Sequence, residues 1–80
     1  MPPSDTYVRS YADTLRIVRE HAAEMDRAAV ARDEGHELQA WLRERGAERA
    51  LREHTRGLRE QHGAKLAAEW IDRARGEVGL

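Results

Sequence analysis

Apolar residues recur along the first third of the chain at spacings of three and four. Val8, Tyr11, Leu15, Val18, Ala22, Met25 and Ala29 keep that rhythm without a miss. The alternation puts all seven on one stripe of an α-helix, as in a helix that packs lengthwise against another helix. Ser4 or Asp5 is placed to cap its start by accepting from the free N–H groups of the first turn. Nothing interrupts the pattern before Asp33. The spacing therefore predicts a helix over about 5–33, roughly 43 Å long, after a loose tail at 1–4. Its outer face carries Arg9–Asp13 and Arg16–Glu20, four-residue pairs of opposite sign worth ~0.2–0.5 kcal/mol each. Ile17, Ala28 and Ala31 form a smaller apolar face on the other side, near His21.

Gly35 is the expected stop, because glycine tolerates the left-handed conformation that ends helices. A second helix is expected from near His36, with Leu38, Trp41 and Leu42 as its apolar face. After Gly46 the apolar positions move. Ala47, Ala50, Leu51, His54 and Leu58 lie nearly opposite the first face on a straight helix. One rigid helix cannot bury both faces in a small monomer, so a kink or short turn is expected at Gly46. Gly57 and Gly63 are further weak points, since an interior glycine costs ~1 kcal/mol against alanine. Leu66, Ala67, Trp70, Ile71, Ala74 and Val78 mark a last helix ending near Gly76. No stretch alternates with period two. The expected fold is all-α: a small helical bundle in one domain over 1–80, with one long N-terminal helix followed by two or three shorter ones.

Composition makes the core thin. Of 32 hydrophobic residues 13 are alanine, and there is no phenylalanine. A single core in so short a chain rarely supplies more than ~3–5 kcal/mol. There is no cysteine, which excludes disulfides and cysteine-based zinc sites. Self-association is the natural remedy. A homodimer is expected, built on Val8, Tyr11, Leu15, Val18 and Met25 of the first stripe, with the Ile17 face as a second contact.

The net charge of −1, with 36% charged residues, gives no global attraction to nucleic acid or anionic membranes. The charge is uneven: residues 1–40 hold 5 basic and 8 acidic side chains, residues 41–80 hold 9 and 7. No apolar run is long enough to span a membrane. The N-terminus lacks the basic and apolar regions of a secretory signal, so a cytoplasmic location is expected. Thirteen arginines against one lysine, with no asparagine, fit GC-rich coding DNA and hence a bacterium or its phage.

Chemistry-bearing motifs are scarce. His21, His36, His54 and His62 contain no i,i+4 pair and no Glu-x-x-His, the spacing that helical di-metal sites use. No metal or other cofactor is expected. There is no nucleophile elbow, phosphate-cradling loop or cysteine nucleophile, so the chain does not read as an enzyme. A recurring Leu-Arg-Glu word (42–44, 51–53, 58–60) is too irregular for a repeat family.

The strongest polar pattern is an arginine stripe. Arg45, Arg49, Arg52, Arg56 and Arg59 are spaced four, three, four, three and share one ~80° sector of a straight helix. Such a ladder suits phosphates or an acidic protein surface. It also suits a solvated face neutralised by pairs such as Glu48–Arg52. Trp41 and Trp70 are typical binding anchors, but a chain with so few large residues is expected to bury both. No helix-turn-helix signature fits around Gly57 or Gly63. The expected function is that of a small, homodimeric protein-interaction module. A phage or mobile-element modulator, an inhibitor of a larger assembly or an antitoxin-like regulator would each fit. A small DNA-binding regulator using the stripe is the alternative, and a helical dimeric enzyme ranks third. Nucleic acid is disfavoured as a partner, and no membrane partner is expected.

Overall fold

The computed structural model describes residues 7–79. They form three α-helices and, among the described residues, no strand: α1 over Tyr11–Asp33, α2 over Glu37–His62 and α3 over Ala64–Val78.

Helix α1 starts later than its apolar rhythm suggests. Ser10 is the cap: its hydroxyl accepts from Asp13 N (3.2 Å), and its own N–H donates to the Asp13 carboxylate (2.8 Å). This reciprocal box satisfies two donors at once. Val8 therefore lies ahead of the helix and is exposed. Asp13 engages Ser10, Tyr7 and Arg16 in place of Arg9, whereas the expected Arg16–Glu20 pair forms at 4.0 Å. Ser4, Asp5 and the expected tail lie outside the described residues.

Residues 7–10 are held along the end of α2. Arg9 N donates to Gln61 Oε1 and Gln61 Nε2 donates to Tyr7 O, both at 2.8 Å. His62 Nε2 donates to Arg9 O at 2.8 Å. The Arg9 guanidinium lies against Gly57, where a Cβ would collide with it.

Gly35 ends α1 as expected, at φ 84°. His36 N donates to Ala31 O (2.8 Å) and Gly35 N to Arg32 O (3.0 Å), the bond pair of a glycine-terminated helix. The chain then reverses into α2, which starts after His36 and runs 26 residues without a break. The expected interruption at Gly46 does not occur, and α2 rather than α1 is the longest helix. The conflict between two apolar faces is resolved differently. One face, Ala40, Ala47, His54, Gly57 and Leu58, is buried, while Leu38, Trp41 and Leu42 are left outside.

The break falls at Gly63, whose φ 92° and ψ 159° belong to a region essentially reserved for glycine. Its N–H closes α2 on Arg59 O, and its carbonyl accepts from Ala67 N to open α3. Helix α3 extends to Val78, two residues past the expected end.

Two clusters hold the helices. At the loop end of the α1–α2 hairpin, Ala28, Ala31 and Ala40 meet, and small side chains let the two backbones approach. At the other end α3 lies across both helices and buries Ala67, Ile71 and Ala74 with Val18 and Leu58. Tyr11, Leu15, Leu51, Trp70 and Val78 pack around that centre. The two apolar faces of α1 thus serve partners within the same chain: the Ala28/Ala31 side meets α2, and Tyr11, Leu15 and Val18 of the main stripe meet α3. Helix α3 stops short of the loop end, so Met25 stays half-buried and Ala29 exposed. The result is a thin slab, 47 × 32 × 17 Å.

Candidate functional site

Because α2 is continuous, its arginines stand in one line. Arg45, Arg49, Arg52, Arg56 and Arg59 are all exposed and face away from the Ala47/His54/Leu58 side. Among the described residues, none of the five lies within ion-pairing distance of a carboxylate. The expected Glu48–Arg52 pair is not made. The carboxylates that do pair across the hairpin are committed to other arginines. Glu44 takes both guanidinium nitrogens of Arg32 (2.6 and 3.1 Å), and Glu24 holds Arg43 (3.0 Å) and Arg27 (2.6 Å). Hydrogen bonds from these guanidiniums hold the Glu44 and Glu24 carboxyls below the usual glutamate range. Glu48, Glu53 and Glu60 of α2 are exposed and, among the described residues, form no ion pair with the stripe either.

Part of the stripe borders a groove of about 540 Å³ between α2 and α3. Leu51, Ala68 and Ile71 give it an apolar floor. Arg52 and Arg59 stand on the α2 wall and Arg75 on the α3 wall, with Glu48 and Asp72 the acidic members of the lining. Cations on both walls over an apolar floor suit a segment that offers carboxylates beside an apolar side chain. Arg75 was not recognisable from sequence as part of this set, since nothing in its spacing links it to residues on another helix.

The tryptophans separate. Trp70 is half-buried, edge-on to Tyr11 (centroids 5.9 Å, 78°) and beside His62 (5.2 Å). Trp41, expected in the core, is 49% exposed, with the Arg45 guanidinium 5.1 Å over its ring.

The histidines stand apart from one another. His54 is buried, its Nε2 2.7 Å from Thr14 Oγ1, and Thr14 is fully buried. Burial, then the nearby Arg9 charge, lowers the His54 pKa. His62 holds the Arg9 carbonyl, His36 occupies the N-cap position of α2 without a side-chain cap bond, and His21 is half-buried. Among the described residues no group of three or more His, Cys, Asp or Glu is placed to hold a metal ion, and no helix is long and apolar enough to cross a membrane.

Comparison with protein-family models, with curated proteins and with solved structures finds no match to this chain.

Proposed function

We propose that the protein is a small helical interaction module that binds an acidic segment of another protein along the outer face of α2 and the adjoining α2–α3 groove. The observation that carries this reading is the line of five exposed arginines that, among the described residues, have no ion-pair partner, two of which flank an apolar-floored groove. Five guanidiniums a turn apart match carboxylates by charge and by bidentate geometry. The groove floor adds the apolar contact that gives a polar patch affinity. In this reading the chain acts by binding rather than catalysis, in the cytoplasm of a bacterium or of a phage-infected cell. A modulator or inhibitor of a larger assembly, or an antitoxin-like regulator, fits such a surface.

A DNA-binding regulator is the second reading, favoured by the straightness of the stripe, which could follow a phosphate backbone. Against it stand the net charge of −1 and Glu48, Glu53 and Glu60 interleaved on the same helix. The test is a titration with random duplex DNA at low and at physiological salt, using the wild type and an Arg52→Gln/Arg56→Gln/Arg59→Gln variant. The proposal expects no binding at physiological salt. Tight binding that collapses with salt and disappears in the variant transfers the stripe to DNA.

A further inference from the structure

The outer face of α2 carries a second feature that the stripe does not explain. Leu38, Trp41 and Leu42 are 69, 49 and 55% exposed on adjacent turns at the loop end of the hairpin. Among the described residues no helix covers them, and α3 packs at the opposite end.

Charge is ordered around this patch. On its N-terminal side lie Asp33, Glu34 and Glu37, and on its C-terminal side Arg45 and Arg49. All five are exposed, and among the described residues none is in an ion pair. A purely acidic partner would meet Arg45 and Arg49 but be repelled at Glu37, and a purely basic one would meet the reverse. The matching surface carries both signs in opposite order, and a second copy turned by a two-fold axis presents it. With two α2 helices antiparallel and centred on Trp41, Glu37 and Arg45 each lie four residues, about 6 Å, from the axis. Each Glu37 then faces the Arg45 of the other copy. Arg49 comes to the acidic turn at Asp33 and Glu34, with the like charge of Glu48 between it and Arg45. Leu38, Trp41 and Leu42 meet their symmetry mates at the centre. A parallel arrangement would set like charges against each other.

We infer that this chain forms an antiparallel two-fold dimer through the N-terminal half of the outer face of α2, with Trp41 at the axis and Glu37–Arg45 pairs on either side. The contact differs from the α1 seam expected from sequence, whose Tyr11, Leu15 and Val18 are covered by α3. Arg52, Arg56 and Arg59 lie beyond it and project in opposite directions from the two copies. Arg45 and Arg49 are shared with the partner surface proposed above, so the dimer leaves Arg52, Arg56 and Arg59 with the α2–α3 groove to the partner.

The test is a charge exchange read by sedimentation equilibrium from micromolar to millimolar protein, with circular dichroism to confirm that each variant stays helical. The wild type should dimerise. Arg45→Glu and Glu37→Arg each place two like-charge contacts in the dimer and should weaken it about tenfold or more. Mixing the two variants should restore association as a heterodimer, because both contacts then pair opposite signs. Trp41→Ala should abolish the dimer and leave the helical signal intact. A wild type that is monomeric throughout, or a mixture no tighter than either variant alone, overturns the inference.

Discussion

Replacing Asp13 by asparagine removes the charge on which the start of α1 is built. The Asp13 carboxylate accepts from the Ser10 N–H (2.8 Å), the Ser10 hydroxyl (3.0 Å) and the Tyr7 hydroxyl, and Arg16 stands 3.7 Å away. These donors, the Ser10 backbone first, lower its pKa from 3.8 to about 2. At about 1.4 kcal/mol per unit, the difference sets a ceiling of roughly 2.5 kcal/mol at neutral pH. The site lies at the surface, where water screens it, and loss of a helix cap costs about 0.5–2 kcal/mol. The expected loss is therefore about 1–2 kcal/mol, measured by urea denaturation followed through the helical circular dichroism signal. A carboxyl whose pKa is depressed by folding stabilises above its unfolded value and ceases to do so as it becomes protonated in the folded state. The gap between wild type and variant should accordingly be full above 3.8 and close as pH falls toward about 2. A gap that ignores pH over that range would refute the argument. So would the absence of a gap at neutral pH, the outcome for a helix that began near residue 5 and left Asp13 on a solvated face.

Two further outcomes follow from single residues. Gly63→Ala forces a side chain into φ 92°, ψ 159° and should cost about 1–3 kcal/mol in the same denaturation assay; an unchanged midpoint would show that the α2–α3 joint does not need that conformation. Burial and Arg9 depress the His54 pKa below 6.5, so the folded state binds fewer protons than the unfolded state, and stability should fall as pH drops below 6.5. Thermal melts should show this slope in the wild type and a flatter one in His54→Gln, which keeps a hydrogen-bonding side chain opposite Thr14; equal slopes would exclude His54 as the source.

The sequence revealed what is local and repetitive. The three-four rhythm of α1, the glycine stop at Gly35 and the apolar face of α3 around Ala67, Ile71 and Ala74 could all be read from spacing. The capping box was also written there, as Ser10-Tyr11-Ala12-Asp13, but the rhythm running through Val8 hid it. Which apolar face α2 buries depended on contacts between helices. Ala40 is small enough to meet Ala28 and Ala31 closely, and that choice carries the helix straight through Gly46 and puts Trp41 outside. The Thr14–His54 bond joins residues 40 apart, and no spacing rule connects them. The stripe was legible as a pattern, whereas its lack of ion-pair partners was not. Spacing puts Glu48 four residues before Arg52, yet among the described residues the two form no ion pair.

The central claim is that the stripe holds an acidic protein partner, and affinity capture from the source cell tests it most directly. The wild type and the Arg52→Gln/Arg56→Gln/Arg59→Gln variant should have the same circular dichroism spectrum and melting temperature, because these guanidiniums are exposed and even an exposed ion pair contributes only ~0–1 kcal/mol. The account predicts that the wild type retains a specific protein, identified by mass spectrometry and bearing an acidic segment, and that the variant loses it. Retention of the same protein by both would contradict the account.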